Sequence, residues 1–437
     1  MSNPAATTAQ HHEFNQALAS FIDASPSPFH ATSELAKLFK EAGFHQLYEG
    51  DEWALKTSES YYVTRNDSSI IAWTQSDKPL AASGWRMLGA HTDSPCLRIK
   101  PQPDLTDQGY WRLGVEVYGG ALLNPWFDRD LSIAGRVHYR NKRGIAQQLI
   151  NFKQPIAVIP SLAIHLDREA NKKRSIDAQQ HLPVILAANP GCDQYQGFNA
   201  LVLAEIQKQD PDAQALLEHE LSFYDTQAAT IIGVGGDFIA SARLDNLLSC
   251  YVDAQALIGA KQSSQWSLLV CSDHEEVGSA SAAGAGGPFL QQVLQRIESQ
   301  PSEMARGLSR SVLISTDNAH ALHPNYANKM DKNHAPMVNG GPVIKVNANQ
   351  RYASNSETQA LFKILCEKNN VPLQHFVMRS DMACGSTIGP ITAAEIGIKT
   401  LDVGLPTFAM HSIRELAGSR DALHLLLVLT AFLNRVE

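Results

Sequence analysis

The chain has 437 residues, of which 18% are charged and 44% hydrophobic, and it carries a formal net charge of −8. That length exceeds one ordinary domain of about 100–200 residues, so two or three domains with sizeable cores are expected. The acidic balance and the lack of a basic run exclude nucleic acid as the expected partner, because phosphate binding draws on clustered Lys and Arg.

The N-terminus, MSNPAATTAQHHEFNQ, lacks the basic patch and apolar stretch of a secretory signal. Two helices are expected next. Phe14 to Ala24 is broken by SPSP, and Thr32 to Ala42 places Leu35, Leu38 and Phe39 on one face before Gly43. Strand-like segments follow, one of which, WRMLGAHTDSP, runs into His91. From about Ile99 to Asp237, alternating runs such as WRLGVEVYGG and LSIAGRVHYR sit between Gly, Pro and Asn, the texture of small antiparallel β modules. Within it, Lys172 to Gln180 is polar and reads as an exposed excursion.

After Asp237, strands again alternate with helices. SARLDNLLSCYVDAQALIGA reads as a helix, QWSLLVCSDHEE as a strand ending in acids, Phe289 to Ser299 as a helix and SVLISTD as a strand. KTLDVGLPTFAMHS is a strand leading to His411. Leu423 to Leu433 is the most apolar segment, but it falls short of the roughly 20 residues that span a bilayer. It reads as a buried C-terminal helix, and no membrane partner is expected. The six cysteines, Cys96, Cys192, Cys250, Cys271, Cys366 and Cys384, are scattered, which fits free thiols in a reducing cytoplasm. The expected fold class is α/β: one domain from residues 1–98 and 238–437, with a mixed central sheet flanked by helices, interrupted by an inserted β-rich domain at 99–237.

Four candidate ligand segments share one context. His91 follows WRMLGA, Glu275 and Glu276 follow SLLVCSDH, Asp317 follows VLIST, and His411 comes shortly after LDVGLP. Each ends an apolar run readable as a buried parallel strand, and sites in open α/β sheets form outside the carboxyl ends of strands. His91 and Asp93 are two residues apart and face the same side of an extended backbone. Asp93 can then orient the imidazole, although HTD alone equally suits a solvated turn. Asp245 opens a helix in RLDNL, where it could serve as a cap or, beside other ligands, bridge two cations.

Adjacent Glu275 and Glu276 would repel each other after so apolar a strand unless cations or a shared proton intervened. Beside a metal pair, one can ligate while the other takes a proton from water; the plain alternative is an exposed acidic loop. Imidazole and carboxylate without thiolate suit zinc and leave cobalt or manganese open. GSASAAGAGG lacks the ending of a phosphate-binding loop, and Cys384 has no base to make it a nucleophile.

GAHTDSPCLRIKP, RLDNL, DHEEVGS, STDNAHALHPNY, GPVIKVNANQRY and AMHSIRE, in that order, resemble the aspartyl aminopeptidase family of dinuclear zinc metallopeptidases. The resemblance runs from SPSPFHA to MHSIRE. It implies a catalytic domain with an inserted dimerisation domain, assembled as a homododecamer that acts on peptides with an N-terminal Asp or Glu. It implies that Asp245 bridges two divalent metal ions, that His91 and Asp317 complete one ligand set, and that Glu276 and His411 complete the other. Glu275 becomes the general base and Asp93 the orienting carboxylate. His165, in PSLAIHLDR, would serve a neighbouring subunit's active site. Lys345 would neutralise the substrate's acidic side chain, with Tyr352 beside it. By itself, Lys345 in VIKV is either a solvent-facing strand residue or a buried cation needing an anion. His320 and His323 lie near Asp317, and either could support it. The competing readings are a broader aminopeptidase or small-molecule deacylase on the same site, and an assembly protein with structural metals.

Overall fold

A computed structural model of the chain describes residues 7–188, 196–260 and 265–434. Cys192 lies outside them, and the other five cysteines are free thiols. The chain divides into two compact units. The first comprises Met1–Asp93, Ala229–Met410 and Glu415–Glu437; the second comprises Ser94–Ala228 and His411–Arg414.

The first unit opens with helix Thr8–Ala24. Thr7 caps it by accepting from the Gln10 N–H while the Gln10 side chain accepts from the Thr7 N–H. The helix stops at Ser25, and Pro28 occupies the first turn of the next helix, Pro28–Glu41. Proline suits that place because its missing N–H would have had no intrahelical partner. The break expected at SPSP therefore separates two helices directly.

A nine-stranded mixed sheet forms the centre of this unit. Its middle strands, Trp266–Ser272, Trp85–His91, Val312–Thr316 and Lys399–Gly404, run parallel in that spatial order. Their side chains alternate between two cores, as a period of two requires. Leu88, Leu269 and Ile314 pack with the helices that carry Leu18, Phe39 and Leu248. Met87, Leu268 and Leu313 pack on the other face with Trp73, Trp85 and Phe289. A five-stranded sheet adds strands Thr230–Ile232, Phe238–Ser241, Glu415–Gly418, Pro406–Phe408 and Ala319–His320. Parallel strands align their carboxyl ends, so His91, Ser272 and Thr316 finish on the same edge.

Helix Asp421–Leu433 closes the unit, with Leu425, Val428, Leu429, Phe432 and Leu433 fully buried. None of the described helices is long and apolar enough to cross a membrane. His424, which interrupts the apolar run, stacks edge-on against His11 at 5.3 Å. Burial, then the nearby His11 and Arg420, hold its imidazole neutral down to about 4. An unfolded imidazole protonates near 6.5. The unfolded state therefore binds more protons between these values, and stability falls as pH drops through that window. Thermal melts at pH 7 and pH 5 are expected to show that loss, and the H424F variant should lose less.

The second unit is a six-stranded antiparallel sheet, with Gly144–Asn151 and Val184–Ala188 at its edges. Its core gathers Leu97, Trp111, Trp126, Ile133, Phe198 and Phe223. Within this β-rich unit the alternating texture gives no sign of helix Phe198–Gln207, which buries Phe198, Val202 and Ile206. Those positions recur every four residues, a helical period that the surrounding alternation obscured. Lys172 to Gln180 is exposed except at Ile176 and falls partly into two short helical turns, Ala170–Lys173 and Ala178–His181.

Candidate metal centre

His91 is the last residue of its strand and is almost completely buried. Its Nδ1 meets the Asp93 backbone carbonyl at 3.0 Å, with the Asp93 carboxylate at 3.4 Å. The carbonyl and the carboxylate of Asp93 thus both face the imidazole. The Asp93 carboxylate also accepts from the Glu275 and Glu276 N–H groups, each at 3.1 Å. It thereby anchors the loop that carries both acids.

That loop supplies the change of direction that two neighbouring carboxylates need. After strand Trp266–Ser272 the backbone enters the left-handed region at His274 (φ 63°) and turns through the 3₁₀ segment Glu275–Val277. With about three residues per turn, consecutive side chains diverge by a third of a circle rather than facing opposite sides of a strand. Glu275 and Glu276 can therefore take different roles from adjacent positions.

Asp245 lies at a kink near the start of helix Leu244–Gly259, with extended backbone (φ −84°, ψ 104°) after the left-handed Arg243 (φ 58°). The Glu415 carboxylate accepts the Asp245 N–H at 2.8 Å. Glu415 is buried, and sequence reading passed over it because nothing local distinguishes an acid between Arg414 and Leu416.

The far nitrogen of His91, Nε2, faces Asp245 Oδ1 at 3.3 Å and Asp317 Oδ1 at 3.6 Å. One ligand atom each from His91, Asp245 and Glu276 falls within 4.8 Å of the others. Asp317 follows its strand directly, and its second oxygen pairs with Lys345 Nζ at 3.2 Å. Lys345 is 2% exposed, which excludes the solvent-facing alternative; its anion is Asp317. The Lys345 ammonium also donates to the Asn318 carbonyl at 3.2 Å and lies 5.2 Å from the centre of the Tyr352 ring.

The electrostatics follow from this crowding. Burial pushes the Glu275 carboxyl up to about 7, and the charges of Asp317, Asp245 and Asp93 add to the rise against His91. Burial also raises Glu276 well above the usual range. Burial opposes ionisation of Asp317 as well, but Lys345 and His91 outweigh it and hold that carboxyl well below its ordinary value. Burial disfavours a charged His91, yet hydrogen bonds to Asp245, Asp317 and Asp93 raise its pKa well above the ordinary value. A buried imidazolium among carboxylates is the protonated counterpart of a cation site, and a divalent metal would displace that proton. The donor set of one imidazole and several carboxylates fits zinc.

Tyr352 is buried and contacts Phe376, with ring centres 6.5 Å apart. His320 is exposed with its ring 5.6 Å from Phe376, while His323 accepts the Asn325 N–H at 3.2 Å and packs on Tyr326. His411 and His165 belong to the second unit. There His411 has positive φ (67°), and its Nδ1 meets the Gly120 carbonyl at 3.1 Å. His165 is exposed in a turn, between the exposed Ile164 and Leu166.

Comparison with known proteins agrees with this chemistry. Residues 21–433 match the family described as aminopeptidase I zinc metalloprotease (M18). A protein of Pseudomonas savastanoi pv. phaseolicola named "Probable M18 family aminopeptidase 2" is 58% identical over 421 residues, covering 96% of this chain and 98% of that one. Its namesake in Ectopseudomonas mendocina is 58% identical over 426 residues, covering 97% and 99%. Among solved structures, that of the Ape4 and Nbr1 complex superimposes with a TM-score of 0.94 at 37% identity, covering 99% of this chain and 88% of that one. The S. cerevisiae mApe1 dodecamer gives 0.84 at 28% identity, covering 97% of each chain. A buried imidazole–carboxylate cluster on the carboxyl edge of the sheet, in a chain matched almost end to end, places this protein in the M18 family of zinc aminopeptidases.

Proposed function

We propose that this aminopeptidase removes N-terminal residues, preferably Asp or Glu, with Glu275 as its general base. The observation that carries the reading is the meeting of His91, Asp245 and Glu276 within 4.8 Å, with Glu275 on the same short turn as Glu276. Asp245, with two oxygens to offer, would be the carboxylate shared between two ions. His91 and Asp317 would complete one ligand set, and Glu276 would belong to the other. His411 joins Glu276 on the strength of the AMHSIRE motif alone. Zinc, or cobalt or manganese in its place, supplies Lewis acidity that lowers the pKa of water and polarises a carbonyl.

Glu275 takes the proton from the attacking water and returns it to the leaving amine. Asp93 holds the turn that aims Glu275, and it fixes His91 through its carbonyl. His165, exposed on its turn, is free to donate to the oxyanion in a neighbouring subunit. That role presupposes a homo-oligomer, and the second unit, residues 94–228 with 411–414, is the proposed dimerisation element of a dodecamer. Free thiols support a cytoplasmic location.

Acidic preference rests on Lys345. An ammonium has three donors, and two go to Asp317 and Asn318, which leaves one for a substrate carboxylate. The same pairing favours a second reading, a broader aminopeptidase, because Asp317 already neutralises Lys345. A panel of peptides beginning with Asp, Glu, Ala and Lys, assayed on zinc-loaded protein, separates the two. The expected result is kcat/KM at least about tenfold higher for Asp and Glu, the gain of one further charge-assisted hydrogen bond. Equal rates across the panel would leave only the broader reading.

A further inference from the structure

Behind the ligands lies a buried polar chain that the proposed chemistry does not use. Helix Leu244–Gly259 reaches the two ligand-bearing strands through three side chains. Asn246 Nδ2 donates to the Thr316 carbonyl at 2.8 Å, and the Cys250 thiol donates to the His91 carbonyl at 3.0 Å. Asp253 Oδ2 lies 2.5 Å from Thr316 Oγ1, which in turn lies 3.0 Å from the Gly89 carbonyl. Thr316 directly precedes Asp317, Gly89 stands two residues before His91, and Asp245 heads the same helix. The chain thus ties the backbone beside three ligands, each on a different element.

Proton counting settles its polarity. The Thr316 hydroxyl has one hydrogen and two oxygens within reach, so one of those oxygens must bring its own. A carbonyl cannot, but a carboxylic acid can. Asp253 is fully buried, and its Oδ1 has no hydrogen-bond partner among the described residues. An ionised carboxylate there would bury an uncompensated charge. Burial pushes its carboxyl well above the usual range, in keeping with a neutral acid.

We propose that Asp253 is a positioning residue that, as a neutral acid, donates to Thr316 Oγ1 while Thr316 donates to the Gly89 carbonyl, fixing the separation of His91, Asp245 and Asp317. The inference rests on those three being the metal ligands. It goes beyond their assignment by saying what holds them apart when no ion does.

The test is zinc affinity, measured by calorimetry on the chelator-stripped full chain, with the visible spectrum of the cobalt-loaded protein as a report on ligand geometry. D253A is expected to weaken zinc binding about tenfold or more, the usual cost of losing a residue that orients ligands, and to shift the cobalt bands. D253N, whose amide donates as the neutral acid does, should restore both. T316V should match D253A, and the double variant D253A/T316V should be no worse than either alone. If D253A does not fold, D253N and T316V still decide. D253N behaving as badly as a variant without a donor would overturn the neutral-acid chain, as would wild-type zinc affinity in folded D253A or T316V. D245N separates this from the ligand assignment. Zinc binding lost in D245N but untouched in D253A and T316V sinks the positioning chain alone, whereas binding untouched in all three sinks the assignment.

Discussion

Glu275→Gln is expected to lower kcat by roughly a hundredfold to ten-thousandfold, the usual worth of a positioned acid–base group, while the protein keeps its bound metal. The substitution preserves shape and removes only the proton acceptor. Glu275 and Glu276 leave one 3₁₀ turn in different directions, and it is Glu276 whose oxygen joins His91 and Asp245. Metal content per chain should therefore match the wild type, as should the melting temperature of the loaded protein. If Glu275 were a ligand, both would fall together with activity. The analogous change at Glu276 should deplete metal, and this contrast divides the labour of two adjacent acids that sequence alone cannot order.

Much of the candidate site is visible in the sequence because its proposed ligands end apolar strands. WRMLGAH and VLISTD show where the backbone leaves the core, and polar side chains there have few uses outside a site. Parallel pairing then aligns those ends without further information. The turn at DHEE is legible too, since two carboxylates could not otherwise reach one cation pair, and the left-handed His274 supplies it. What the sequence hides is long-range pairing. That the Asp93 carboxylate caps the Glu275 turn, that Glu415 holds the Asp245 N–H, and that Lys345 neutralises Asp317 all depend on contacts between distant segments. Lys345 shows the limit most clearly: a Lys among Val and Ile suits an exposed strand face as well as a buried one, and only the partner decides. Helix Phe198–Gln207 was hidden differently, its four-residue period set in a region of two-residue alternation.

Asp245→Asn is expected to have the other large effect, abolishing turnover by removing metal rather than chemistry. Asp245 is 3% exposed, faces His91 Nε2 at 3.3 Å, and is held at the helix start by Glu415. Its amide replacement keeps one weak oxygen donor, cannot serve two ions, and leaves the neighbouring carboxylates without their shared counter-charge. Zinc affinity should fall by at least about a hundredfold, the upper end of what even outer residues of a metal site cost. Fold should survive, because the substitution conserves volume and the cores around Leu88 and Met87 are untouched.

The carboxylates clustered around His91 are proposed to hold the ions on which hydrolysis depends. Titrating zinc into the metal-free chain, with D245N in parallel, and following hydrolysis of an Asp-terminated peptide tests this directly. The expected result is no turnover without metal, a rise to full activity as two zinc ions bind each chain, and no rise in D245N. Turnover in the metal-free protein, or a D245N titration that matches the wild type, would contradict it.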